Sequence, residues 1–197
     1  MPTALIIGDV QTGIVEAFPW TESVLRPLAA LLPLSRKKGT PVIYVRVALR
    51  PDQAEVPSRN PNATWMFNSG DLFQESSAAT SIHHDIQPLP SDAVITKRRG
   101  SAFTGTDLEA ILRARGITDI ALAGVATSGV VLATLIDAAE RDYGVTVLRD
   151  GCADAETEVH DFLMNRVFPG RGAKVVNCRD WIGGLTDSEG PDTGSPA

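Results

Sequence analysis

Three stretches of this chain carry residue types able to do chemistry together. Asp9 closes the apolar run Ala4-Leu5-Ile6-Ile7-Gly8, and Lys97 closes Ala93-Val94-Ile95-Thr96. Between Gly124 and Val130, small residues join the apolar run Asp119–Ala123 to a helical segment reaching Tyr143. A carboxyl group can accept or deliver a proton, and an ammonium can steady negative charge beside it. A strand that turns sharply into a helix aims backbone N–H groups at whatever sits above the sheet edge. A nucleophile would be sought at position 130, and that residue is Val130. Ser128 is the substitute nucleophile to weigh, but its place at a helix start reads more simply as an N-cap. No histidine has a sequence position suited to activating it. His83 and His84 fall in a long loop and His160 on a late helix, where all three read as surface or loop polarity. Adjacent histidines rarely ligate one ion and no Asp or Cys has supporting spacing, so no metal site is expected. Cys152 reads as a small buried residue rather than a thiolate, and Cys178 falls near the end of the sixth apolar run, away from the site.

The elements that must position these groups follow from apolar periodicity. Residues 4–8, 41–49, 93–96, 119–123, 145–148 and 173–176 are short apolar runs of the kind buried on both faces of a parallel sheet. Helical spacing covers Thr21–Lys38, Thr106–Arg115, Ser128–Tyr143 and Ala155–Phe168. Pro33 is expected to kink the first of these. Thr106 with Glu109 reads as a capping box on the second. Residues 10–20 read as a loop. Residues 50–91, rich in Pro, Asn and Ser, form a connection long enough to be a functional lid, an interface or a set of short helices. Trp65 and Phe67 within it, and Phe103 further on, are possible pocket walls; Trp65 and Phe103 serve equally as core or interface residues. The alternation predicts an α/β fold, a three-layer doubly wound sheet of about six mainly parallel strands with helices on both faces. Ligand sites in such folds lie beyond the carboxyl ends of the strands. Asp9, Lys97 and the Gly124–Val130 turn all fall there.

Composition narrows the remaining classes. The 197 residues are 43% hydrophobic and 21% charged, which suits one soluble globular domain over 1–186 with a short polar tail over 187–197 expected to be disordered. A net charge of −6 and the lack of a basic block argue against nucleic acid as a partner. Arg98-Arg99 and Arg36-Lys37-Lys38 read as local solvated faces. No apolar run approaches the roughly 20 residues that span a bilayer, and no membrane partner is expected. Two cysteines are too few for a disulfide framework, so a reduced, cytoplasmic setting is the default.

With Asp9 followed by Gln11, Lys97 heading Lys-Arg-Arg-Gly-Ser-Ala-Phe-Thr-Gly-Thr-Asp-Leu, Gly-Val-Ala-Thr before a helix, Asp137-Ala-Ala and Asp150-Gly-Cys-Ala-Asp, the chain resembles the isochorismatase-like hydrolase superfamily over residues 4 to about 168. The resemblance implies a working set of Asp, Lys and nucleophilic Cys. The first two match Asp9 and Lys97, and the third falls on Val130, so the nucleophile is absent. The Asp-x-His metal pattern of the nicotinamidase branch is missing from Tyr44–Leu49 as well. Cys-less relatives that cleave a vinyl ether retain Asp and Lys and carry a small residue at the Cys position. Their chemistry needs a proton and water rather than a thiol. The resemblance further implies an oxyanion hole from the N–H groups of Ala126 and Val130, a cis peptide at Val125–Ala126, a small-molecule substrate bound among Asp9, Gln11, Lys97, Trp65, Phe103 and Ser128, no cofactor, and a homodimer or larger homo-oligomer. Three readings stay open. The chain is a hydrolase acting on a small polar or anionic metabolite without a cysteine nucleophile, with Asp9 as acid/base and Lys97 as electrostatic partner. Alternatively it is an inactive family member that binds a metabolite or a partner, or a hydrolase using Ser128.

Overall fold

A computed structural model describes residues 1–185; the tail expected from Asp187 lies outside the described residues. Six strands form one sheet: β1 (Thr3–Gly8), β2 (Val42–Val47), β3 (Ala93–Lys97), β4 (Asp119–Val125), β5 (Gly144–Ala153) and β6 (Lys174–Val176), ordered β3-β2-β1-β4-β5-β6. Every neighbouring pair is parallel. The order reverses between β1 and β4, and such a switch point opens a crevice at the carboxyl ends.

Side chains alternate across this sheet and feed two cores. Leu5, Ile7 and Tyr44 pack on one face with Leu28, Leu31 and Trp181, residues of α2 (Leu25–Lys37) and α8 (Cys178–Gly184). Ala4, Ile6 and Ile43 pack on the other with Leu108, Leu112 and Leu135, residues of α4 (Leu108–Ala114) and α5 (Leu132–Ala139). The three-layer doubly wound arrangement expected from the sequence is the one found.

Local details differ. Residues expected to be a loop hold α1 (Thr12–Ala17), whose buried Gly13, Ile14 and Val15 seat it against the core. The helix α2 runs through Pro33 to Lys37, and Pro19–Val24 before it is a 3₁₀ helix rather than its first turn. No capping box forms on α4: the Thr106 hydroxyl accepts from Leu108 N–H at 3.2 Å and donates to Ala102 O, while Glu109 turns to Arg113 and Arg141. The long connection contains α3 (Pro61–Asn68), started by the Asn60 carboxamide accepting from Ala63 N–H at 3.0 Å, and three short 3₁₀ turns. The late helix is broken into α6 (Thr157–Phe162), a π-turn and the short α7 (Phe168–Gly170). Among the described residues no helix is long and apolar enough to cross a membrane.

One contact fixes β1 against β4 at the crevice. Gly8 and Gly124 face each other in register, and Gly124 has φ of +135°. A Cβ built on Gly124 would lie 2.2 Å from Gly8 O, a backbone atom with nowhere to go. Gly124→Ala is therefore expected to cost more than about 4 kcal/mol, the range reserved for severe steric defects, read as loss of soluble protein or of the urea midpoint.

Candidate active site

Asp9 ends β1 in the left-handed region, with φ of 59°, a conformation Asp tolerates better than most residues. Its N–H donates to Val45 O at 2.8 Å and its carbonyl accepts from Gln11 N–H at 3.0 Å. The chain thus leaves the strand abruptly and holds the carboxyl group over the sheet edge. Lys97 ends β3, two strands away, a lateral gap of about 10 Å. Only a long side chain crosses that gap above Val47, its β2 partner. Lys97 Nζ reaches Asp9 Oδ2 at 2.9 Å and also donates to Arg99 O at 2.9 Å. The two side chains are 4% and 9% exposed, so this is a buried ion pair. Asp9 Oδ1 is buried with no hydrogen-bond partner. Burial pushes the Asp9 carboxyl above its ordinary pKa, against the opposing pull of the Lys97 charge and hydrogen bond.

A cavity of about 330 Å³ opens beside the pair. Asp9, Lys97, Ala126, Gly129 and Val130 line one part of it. The Val125–Ala126 peptide is cis, as the resemblance implies. From Thr127 to Val131 the chain makes a π-turn before α5, so the helix starts later than periodicity suggests. Val130 is 5% exposed and its two methyl groups lie over Gly8: a Cβ there would stand 2.8 and 2.9 Å from them. The position where a nucleophile was sought is thus filled by an apolar side chain packed on the backbone next to Asp9. Neither cysteine substitutes for it. Cys152 packs in one core and Cys178 in the other, on opposite faces of the sheet. Burial pushes the Cys152 thiol up to about 12 and raises that of Cys178 further.

Several expected site residues lie elsewhere. Gln11 is fully buried and its carboxamide clamps Val47, accepting from its N–H at 2.6 Å and donating to its carbonyl at 3.0 Å. It continues the β1–β2 pairing with a side chain, and no ligand-facing group remains. Phe103 sits in the core under α4 and α5, with its ring 5.8 Å from Tyr143 and Arg141 over its face at 4.9 Å. Ser128 is exposed and caps nothing; the residue before the turn is Ala126, and Ser128 N–H donates to Asp154 Oδ2 at 2.6 Å. Trp65 does line the cavity, joined by Asn62 and Met66 from the same face of α3, at i−3 and i+1, and by Phe18, Trp20 and Phe73.

Two features were not anticipated from the sequence. Arg98 and Arg99, read as one solvated pair, separate completely. Arg98 is tied to Glu55, Glu75 and Ala48 O, whereas Arg99 lines the cavity. His160, read as surface polarity, places Nδ1 2.8 Å from the Oγ1 of Thr127, a fully buried residue of the π-turn. With Asp154 on Ser128, the β5–α6 segment therefore holds the turn at two points. Neither pairing has a signal in local periodicity.

Burial holds the His160 imidazole below its ordinary pKa; Asp161 and Asp154 oppose this and Arg149 assists it. Below about pH 6.5 the unfolded chain then binds more protons at this residue than the folded one, so its contribution to stability is full above that value and lost as pH falls. His160→Ala is expected to cost about 1–3 kcal/mol near neutrality, because the buried Thr127 hydroxyl loses its partner. The difference from the parent should shrink in urea unfolding repeated toward about pH 5. An equal deficit at both pH values would show that His160 acts by packing alone.

A buried, ion-paired carboxyl at the switch point of a parallel α/β sheet, facing a cavity bordered by a helix-entry turn, is the geometry of a candidate ligand site in a doubly wound α/β protein. The isochorismatase domain model matches residues 3–180, and the chain belongs to the isochorismatase family. It is 32% identical over 189 residues to the uncharacterised isochorismatase family protein YecD of Escherichia coli O157:H7, covering 93% of this chain and 96% of that one. An isochorismatase family protein of Burkholderia thailandensis has a similar structure, with a TM-score of 0.78 and 32% identity over 91% of this chain and 93% of that one. A relative from Arabidopsis thaliana named a probable inactive nicotinamidase is 28% identical over 80% of this chain and 84% of its own length.

Proposed function

We propose that this member of the family hydrolyses a small polar or anionic metabolite without a covalent thioester. Asp9 exchanges the proton and Lys97 steadies the negative charge that develops. The observation that carries this reading is the unpartnered Asp9 Oδ1 of a buried ion pair beside a cavity. An orphaned buried carboxyl oxygen calls for an explanation, and a catalytic role for the group supplies one. Burial favours the protonated acid, and Lys97 keeps the ionised form accessible; a group working in both directions needs both influences. The backbone at Ala126 and Val130 supplies the matching side of the cavity for a developing oxyanion. The reading includes a homo-oligomer, measurable by light scattering.

The packing of Val130 on Gly8 supports the alternative, a binding protein without turnover, as does the relative named as inactive. A panel of amides, carbamoyl compounds and vinyl ethers separates the two. Hydrolysis of at least one, lost in Asp9→Asn, supports the enzyme. Stabilisation of the fold by panel members with no product from any of them supports the binding protein.

A further inference from the structure

His83, His84 and Asp85 stand apart from the cavity, and none of the three lines it. In an extended segment adjacent histidines point to opposite sides, which is why their spacing alone predicts no shared ion. The fold changes this. His83 has ψ of 140°, and the chain then turns into a 3₁₀ helix over His84–Ile86. The turn brings Asp85 back onto both rings. His84 Nε2 stands 3.2 Å from Asp85 Oδ1, and His83 Nδ1 stands 4.0 Å from Asp85 Oδ2. The two imidazole centroids are 4.2 Å apart. One ligand atom from each residue falls within a common span of 4.8 Å. Two atoms on one tetrahedral zinc ion, each about 2.1 Å from it, lie about 3.4 Å apart. The two distances to Asp85 bracket that value, and rotation of the exposed His84 and Asp85 side chains closes the remainder.

One of the three groups is fixed in advance. His83 is 6% exposed, and its N–H donates to Val10 O at 3.0 Å. Ile82 bridges to Gln11, and Ser81 O accepts from Thr12 N–H at 2.9 Å. The segment 81–83 is thus held along residues 10–12, directly after Asp9. His83 Nδ1 accepts from Asp85 N–H at 3.2 Å, so its lone pair already points toward Asp85. That bond is at the long end of the hydrogen-bond range and yields readily to a metal, while the neutral ring keeps its proton on Nε2. The carboxylates of Asp85, Glu16 and Glu22 act on this ring and favour positive charge beside it.

We propose that His83 Nδ1, His84 Nε2 and the Asp85 carboxylate form a binding site for a divalent transition-metal ion of the zinc type, with water completing its coordination. Two imidazoles and one carboxylate suit zinc, cobalt or nickel, whereas magnesium and calcium take oxygen ligands. The ion ties the 3₁₀ turn to the segment beside residues 10–12. A ligand set assembled by the fold binds the folded chain in preference to the unfolded one, so the ion stabilises the protein. The site is independent of the proposed hydrolysis, which needs none of these three residues.

Metal titration of the full chain, first stripped with a chelator, tests this without needing turnover. Calorimetry with Zn²⁺ should show one ion per chain, and Mg²⁺ at the same concentration should show none. Co²⁺ should give visible d–d absorption without a thiolate charge-transfer band, because neither cysteine is a ligand. His84→Ala and Asp85→Asn alter exposed side chains and should leave the fold intact. Each should weaken Zn²⁺ binding at least about tenfold, the least that loss of a direct ligand costs. His83→Asn keeps an acceptor for the Asp85 N–H and should lose binding as well. His160 is the remaining histidine of the chain, and His160→Ala should bind Zn²⁺ as the parent does. Zn²⁺ should also raise the melting temperature of the parent by more than that of His84→Ala. No bound Zn²⁺, unchanged affinity in both His84→Ala and Asp85→Asn, affinity lost only in His160→Ala, or a thiolate band with Co²⁺ would each overturn the site.

Discussion

Asp9→Asn is expected to abolish turnover, with a loss of at least about 10²-fold from removal of the proton-transferring group. It is also expected to destabilise the fold. Lys97 is 3% exposed, and in the variant its ammonium keeps a buried position without a counter-charge. Breaking a buried pair from one side costs about 3–5 kcal/mol, more than the pair contributes when intact, because the remaining charge stays desolvated. The double variant Asp9→Asn with Lys97→Met removes that charge and fills the space with an unbranched apolar chain. It should recover most of the lost stability and none of the activity. Urea unfolding of the three proteins, beside kinetics on whichever substrate the panel identifies, separates folding from chemistry. Turnover surviving in Asp9→Asn would end the acid/base assignment. A double variant less stable than the single one would mean that the pair holds the fold rather than serving the site.

Val130→Cys should create the chain's first reactive thiol. The native cysteines are poor controls for each other but good ones for position 130, because burial keeps both protonated. Position 130 is as buried as Cys152, whose thiol burial pushes up to about 12, but it lines the cavity that holds Lys97. The Lys97 ammonium opposes burial there and favours the thiolate, whereas no cation does so at Cys152. Iodoacetamide at neutral pH should therefore modify position 130 faster than either native cysteine, as read by peptide mass spectrometry. Loss of one methyl group over Gly8 should cost only about 1 kcal/mol, so the variant remains folded. Labelling no faster than at Cys152 would mean that side chain 130 does not face the ion pair. Amide hydrolysis gained only in Val130→Cys would identify the thiol as the missing component of an otherwise complete site.

Most of the fold was readable from short-range pattern. Continuous apolar runs such as Ala4–Gly8 and Asp119–Ala123 mark doubly covered strands, and turn residues such as Gly39 and Gly116 end the helices before them. The errors cluster where tertiary contacts override propensity. Residues 12–17 are short and mixed in polarity, yet form α1 because Ile14 and Val15 are buried in the core and Gly13 closes on Leu72 and Ala79 of the long connection. Thr106 has the spacing of a capping box, but the nearby carbonyl of Ala102 and the guanidinium of Arg141 take its hydroxyl and Glu109 away. The fold was more legible than the site for a physical reason. Periodicity reports which face of an element is buried, while the partner of a buried polar atom is set by segments far away in the chain.

By itself the sequence determined the order of strands and helices, the placement of Asp9, Lys97 and the Gly124–Val130 turn at strand ends, and the lack of a thiol at position 130. Only the tertiary structure decided which side chains share the crevice. Lateral strand order puts β2 between Asp9 and Lys97, so a lysine's length is what closes the pair. The path of the chain after β3 sends Arg98 to glutamates and Arg99 to the cavity, and the return after β5 brings His160 to Thr127. Gln11 and Phe103 were drawn the other way, into the β1–β2 clamp and the core. Each outcome depends on long-range packing, which local periodicity does not encode.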